Sequence, residues 1–245
     1  LRQTHSLPAL FAVHVHHGLQ SAADSWPAHC QVLCGSLAVP LQVFQVQVRP
    51  GASLERAVRE ARYQGFETVT QAGEVLLTGQ HRDDQAETLL LHLLRGSGAE
   101  GLGGMRCHNN SIVRPFLQVS RRMLEAYGAM RSLDYRTDSS NMDLYYTRNK
   151  VRHILLPLLE REFNPNIKQA LAQTATLIAE DADCLNALAE EKFLQYVLQD
   201  DHSCSCDTAW LLSLPAALCS RIIRMMWKKL GAAGLLTFQQ TQQVI

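Results

Sequence analysis

The sequence predicts an α/β protein, a doubly wound parallel sheet followed by an all-α second unit. Three observations carry this. Apolar or alternating runs at residues 9–15, 41–48 and 74–78 are separated by two stretches of helical periodicity, so strands and helices alternate. Such alternation is met by parallel pairing through right-handed crossovers. Beyond residue 160 helical patterns take over.

The elements follow in order. Residues 9–15 (ALFAVHV) are apolar and β-branched, 41–48 (LQVFQVQV) alternate with period two, and 74–78 (EVLLT) form a third compact run. Across 22–37, Trp26, Cys30, Leu33 and Leu37 recur on one helical face, and Pro27 suits a helix start. Across 53–71, Leu54, Ala57, Val58 and Ala61 make a stripe with Ser53 as N-cap. Residues 83–95 read as a leucine-rich helix that Gly96 ends, and the five glycines of 96–104 read as an irregular loop. A short strand is expected at 112–117, a helix capped by Ser120 to about 132, a turn at 138–141 (DSSN), and helices at 147–159 and 165–198. In the last of these Ile167, Leu171, Thr174, Ile178, Asp181 and Leu185 follow the period. A polar break at 200–205 precedes helices at 215–230 and 237–245. Composition thus divides the chain into 1–160, a helical connector 161–198, and a second helical unit 199–245.

The composition is that of a globular protein: 245 residues, 47% hydrophobic and 19% charged, with 14 Gly and 8 Pro, which excludes disordered and collagenous classes. No apolar run reaches the roughly 18 residues that a membrane span needs, and seven Cys without framework spacing favour a reducing compartment. A cytoplasmic protein is the expectation. The chain opens at Leu1, directly before an apolar run, which suggests an N-terminal truncation. Lys plus Arg equals Asp plus Glu at 23 each, but residues 113–170 hold ten basic against six acidic side chains, and 171–207 hold eight acidic and one Lys. A basic middle of this kind permits a polyanion-facing surface.

In a doubly wound sheet ligands gather beyond the carboxyl ends of the strands. Two polar clusters fall there: His14, His16 and His17 after the first strand, and His81, Asp83, Asp84 and Glu87 after the third. The second lies in TGQHRDDQAET (78–88). Capping accounts for part of it, with Asp84 as N-cap, Glu87 three residues on, and Asp83 complementing the helix dipole. Three carboxylates and a His within seven residues exceed what capping needs, and their mutual repulsion calls for a cation or substrate. Hard oxygen ligands of this type suit Mg²⁺.

The remaining candidates are weaker. His14, His16 and His17 alternate faces on an extended strand and do not converge as zinc ligands. Cys30/Cys34 and Cys204/Cys206 lack a second pair at ligand spacing, and the glycines at 96–104 lack the ending of a Walker loop. Arg148, Lys150 and Arg152 sit opposite the apolar stripe of Val151, Leu155 and Leu158. They read either as a solvated helix face or as phosphate contacts.

Taken together, residues 78–88, 95–105 (RGSGAEGLGGM), 114–117 (RPFL), 138–141 (DSSN) and 148–152 (RNKVR) resemble the tRNA-isoleucine lysidine synthetases in order and spacing, with 14–19 (HVHHGL) and 60–63 (EARY) in support. The resemblance runs from about residue 9 to 160 and is weaker beyond, where 211–230 looks like the start of that family's helical substrate-binding domain. It implies an N-type ATP pyrophosphatase fold, similar to the adenine nucleotide alpha hydrolases. The implied reaction is adenylation of the wobble cytidine by ATP with Mg²⁺, followed by attack of the lysine ε-amine. It also implies His81, Asp83, Asp84 and Glu87 as catalytic residues, with Asp83 and Asp84 toward Mg²⁺, Val13, His14 and Val15 toward adenine, and Arg114, Arg148, Asn149 and Arg152 toward tRNA. The implied partners are an isoleucine tRNA with a CAU anticodon and L-lysine, with a homodimer admitted and no membrane. The family's Ser-Gly-Gly-x-Asp-Ser phosphate loop and first strand are missing, so this chain alone is expected to be inactive, and Gln80 stands where many members have His. A tRNA thiolation enzyme of the same superfamily and an inactive tRNA-binding fragment are the alternatives.

Overall fold

Strand β1 (Ala12–His16) runs parallel to β2 (Leu41–Gln45), with Ala12 opposite Leu41 and His16 opposite Gln45. The computed structural model describes residues 9–16, 18, 21–46, 54–68, 70–200, 203–231, 234 and 236–244. Thus His17, the expected N-cap Ser53 and the last residues of the 41–48 run lie outside the described residues. Helix α1 (Trp26–Ser36) follows a 3₁₀ turn (Ser21–Ser25) and carries Pro27 in its first turn, where a missing N–H is harmless. Helix α2 (Leu54–Glu67) brings Gly65 over the first ladder, where a Cβ would touch Val46 and Val15 at 3.6 and 3.7 Å.

Strand β3 (Leu76–Leu77) is shorter than the expected 74–78, because a turn takes up Glu74: its N–H bonds to the Gln71 carbonyl and its carboxylate accepts the Gln71 N–H. Helix α3 (Arg82–Leu94) ends as expected at Gly96, whose φ of +70° favours a residue without Cβ. The glycine-rich stretch is not wholly irregular, since one helical turn, α4 (Ala99–Leu102), forms inside it. Strand β4 (His108–Asn109) pairs antiparallel with β5 (Ile112–Val113), and β5 runs parallel to β3. The expected strand at 112–117 stops after two residues: Pro115 has no N–H for a ladder, and tight turns follow through Val119. Among the described residues β1–β2 and β3–β5–β4 are separate ladders, so parallel pairing is realised in pieces rather than as one continuous sheet.

Helix α5 (Arg121–Met130) starts at Ser120, whose hydroxyl accepts the Met123 N–H. Asp138 caps a 3₁₀ turn (Ser139–Met142) through the Ser140 N–H. Helix α6 (Thr147–Lys150), a π turn (Val151–Leu155) and α7 (Leu156–Glu162) continue one another. The widened turn has a cause in the sequence: Pro157 lacks the N–H that would bond to the His153 carbonyl, and its ring would crowd that carbonyl in a regular helix.

By contacts the chain falls into two compact units, residues 1–87 with 107–167, and 88–106 with 168–245. This grouping differs from the sequential division at 160 and 198, and the boundary falls within α3. In the first unit Ala86, Leu117, Val151 and Leu156 are buried.

The second unit is helical apart from one short antiparallel ladder, β6 (Leu198–Gln199) with β7 (Cys204–Ser205). Its long helix α8 (Ile167–Tyr196) buries Ala172, Ala175, Ala179, Ala182 and Ala189, while Thr174 and Asp181 of the expected stripe face solvent. Close approach selects this small-residue face: a Cβ on Gly103 would stand 3.0 Å from the Ala179 Cα. Arg106 donates to the Ala179 carbonyl at 3.1 Å and to Asp183 at 2.8 Å. Ala189, Phe193 and Val197 form a core with Leu218 and Ile222 of α10 (Ala216–Lys229). Helix α9 (Thr208–Ser213), capped by Asp207, contributes Trp210 and Leu211 to its edge, and α11 (Phe238–Val244) follows α10. Among the described residues no helix is long and apolar enough to cross a membrane.

Candidate functional site

The stretch 78–88 leaves the carboxyl end of β3 and enters α3, held by two backbone bonds, Thr78 N–H to the Val113 carbonyl and Arg82 N–H to the Val119 carbonyl. The helix begins at Arg82, so the capping residue is His81 rather than Asp84. The His81 N–H donates to Asp84 Oδ2 at 3.0 Å, and the Asp84 N–H donates to His81 Nδ1 at 3.3 Å. This is a capping box with imidazole in the place of a hydroxyl. The same Nδ1 lies 3.4 Å from Asp84 Oδ2.

The three carboxylates then part. Asp83 Oδ1 accepts the N–H of Arg121 at 3.1 Å and so caps the first turn of α5. Asp84, 14% exposed, turns its other oxygen to Arg148 Nη2 at 3.3 Å and Arg152 Nη2 at 3.2 Å. Glu87 is 2% exposed and accepts three bonds: Arg148 Nε at 2.8 Å, Arg152 Nε at 2.6 Å and Arg152 Nη2 at 2.9 Å. The mutual repulsion of Asp84 and Glu87 is thus offset by two guanidinium groups of the same unit. Burial disfavours the Arg152 charge, but the Glu87 hydrogen bonds and the charges of Glu87, Asp84 and Asp83 outweigh it and raise its pKa.

Asp83 and Asp84 meet different partners, the Arg121 N–H and the guanidinium groups of Arg148 and Arg152. Among the described residues no three His, Cys, Asp or Glu side chains form a group that could hold a metal ion.

The basic residues are likewise turned inward. Arg148 and Arg152 are 25% and 18% exposed, which corrects the reading of a solvated helix face. Asn149 is buried, and its Nδ2 donates to the Ser140 and Asp143 carbonyls at 2.8 Å each. His153 Nε2 lies 2.7 Å from the Asn141 carbonyl. Residues 138–141 and 148–153, separate in the sequence, therefore form one clamp, and His153 is a member that sequence reasoning missed. Arg114 is buried behind β5 with its N–H on the Cys107 carbonyl. Replacing Asn149 by Ala leaves two carbonyls without their donor and is expected to cost about 1–3 kcal/mol, read as a lower urea midpoint at constant slope.

At the other cluster, Val13, His14 and Val15 lie in β1, paired on one side with Gln42, Val43 and Phe44. The His14 ring is held below its ordinary pKa by burial and by His16, and so stays neutral. Its Nδ1 lies 3.8 Å from Cys30 Sγ, and its Nε2 is buried without a hydrogen-bond partner among the described residues. Burial and the neighbouring Cys34 push the Cys30 thiol up, so it keeps its proton.

Residues 1–159 match the model of the PP-loop domain family. The chain is 51% identical over 205 residues to the tRNA(Ile)-lysidine synthase of Pseudomonas fluorescens, covering 82% of this chain and 46% of the relative. It is 47% identical over 193 residues to the tRNA(Ile)-lysidine synthase of Pseudomonas putida, covering 77% and 45%. The chain thus spans about half the length of these relatives. Among solved structures it is similar to a U34-tRNA thiolase from Methanococcus maripaludis at a TM-score of 0.54 and 15% identity, covering 71% of this chain and 64% of that one. A likeness at that identity speaks for the fold alone.

Proposed function

Because the chain belongs to the PP-loop domain family, we propose that the full-length protein joins lysine to C2 of the wobble cytidine of an isoleucine tRNA at the expense of ATP. The observation that supports this most is the 51% identity to a lysidine synthase over four-fifths of the chain. In this reaction the cytidine O2 bonds to the α-phosphorus of ATP and pyrophosphate leaves. The lysine ε-amine then bonds to C2, and AMP leaves with that oxygen. An attacking amine has to lose its proton first.

Asp84 is our candidate for receiving that proton, since it reaches solvent while Glu87 does not. His81, whose Nδ1 is taken up by the capping box, is our candidate for meeting developing negative charge through Nε2. Asp83 acts from behind by fixing the start of α5. The adenine side falls to Val13, His14 and Val15, where the unpartnered Nε2 of a neutral His14 supports a polar contact with a base. Mg²⁺ is expected with the nucleotide. For tRNA the basic segment 113–170 supplies exposed cations at Arg122, Arg131 and Lys150.

Pyrophosphate release tests the reading. With ATP, lysine and a CAU-anticodon tRNA the full-length protein is expected to release pyrophosphate in step with lysidine formed, and to stop when tRNA is withheld. Release that ignores tRNA contradicts it.

A further inference from the structure

Glu87 is closed from two sides by guanidinium groups that come from one stretch of helix, Arg148 in α6 and Arg152 in the π turn. Arg152 grips it through two parallel N–H bonds, the fork geometry that a point-charge lysine cannot reproduce. Both arginines also reach the same oxygen of Asp84. Two guanidinium charges therefore face two carboxylate charges at distances of 2.6–3.3 Å. With three donors on its two oxygens and almost no exposure, Glu87 has no room to serve a substrate directly.

We propose that Arg148 and Arg152 are positioning residues, which lock Glu87 as an anchor and through it hold Asp84 at the site, and are not phosphate contacts for tRNA. The inference rests on the lysidine reading above. Three observations carry it. The guanidinium donors point at carboxylates of their own unit, whereas a phosphate contact needs donors turned outward. The neighbouring Asn149 and His153 bond inward to the 138–143 turn, so this face of the helix packs against protein. The widened turn ahead of Pro157 presents Arg152 from a backbone whose winding departs from the regular helix, a feature often met at functional sites.

The test uses Arg152→Ala and Arg148→Met in the full-length protein, with a CAU-anticodon tRNA transcript as binding probe. Arg148→Met keeps the two-bond Arg152–Glu87 pair and so guards against a variant that does not fold. For both, kcat for lysidine formation is expected to fall at least about tenfold while KM for tRNA stays within about twofold. The slope of log affinity against log salt is expected to stay as in the wild type. Millimolar methylguanidine is expected to restore part of the Arg152→Ala turnover, and methylammonium to restore none. A weaker tRNA affinity with a slope flatter by about one unit per arginine overturns the proposal in favour of phosphate contact. Lost turnover that merely tracks lost folded protein, without rescue, overturns it in favour of a structural role. Wild-type protein that makes no lysidine sinks the underlying reading itself, whereas wild-type activity with an altered salt slope in the variants sinks only this inference.

Discussion

Replacing Glu87 by Gln is expected to destabilise the first unit by about 3 kcal/mol and to abolish most turnover, because it leaves the two guanidinium charges of Arg148 and Arg152 against the one carboxylate of Asp84 in a site that is almost closed to water. Uncompensated charge in such a place costs more than the pair contributes. The effect belongs at the lower end for broken buried pairs, since the two arginines keep some solvent contact. Adding Arg152→Met to Glu87→Gln removes one of the stranded charges and is expected to recover stability but not activity. A double-mutant cycle by urea denaturation measures this coupling. Additive losses would mean that the two side chains do not depend on one another.

The second large effect is expected in the other unit. Ile222 is fully buried among Ala189, Phe193, Val197 and Leu218, so Ile222→Ala removes its side-chain contacts and leaves a cavity that the helices close only in part. The expected loss is about 3–4 kcal/mol, against about 1 kcal/mol for Ile222→Val. Denaturation followed by the near-ultraviolet signal of Trp210, which packs at the edge of this cluster, reports the change locally. Equal effects of the two substitutions would mean that the core repacks around the gap.

Much of the fold was legible in the sequence because its signals are local. The Ser120 cap, the Gly96 stop and the alternation of strand and helix rest on residues close together in the chain. The capping box starts three residues before the position the sequence suggests, because His81 is not among the usual N-cap types whereas Asp84 is. In α8 the period was read from large apolar residues, whereas close packing at Gly103 selects alanines.

The site itself was half legible. The density of carboxylates in 81–87 marked it, but its partners Arg148 and Arg152 lie 61 to 68 residues further on. No local period can show that a charged helix face points at another charged segment. The balance of two carboxylates by two arginines was present in the composition, without any indication of which charges meet. The same holds for Asn149 and the 138–143 turn, whose hydrogen bonds join two motifs that look independent in the sequence.

The fate of the wobble cytidine when Asp84 is changed separates a catalytic cluster from a capping one. Nucleoside mass analysis of a CAU-anticodon isoleucine tRNA, incubated with ATP, lysine and full-length protein, is predicted to show cytidine gaining lysine with loss of water. Asp84→Asn is predicted to slow that conversion at least about tenfold, equivalent to about 1.4 kcal/mol of transition-state stabilisation, at a temperature where both proteins are folded. An unchanged rate in Asp84→Asn with a lowered melting temperature would reduce the cluster to helix capping, and an unmodified or sulfur-bearing nucleoside from the wild type would contradict the proposed reaction.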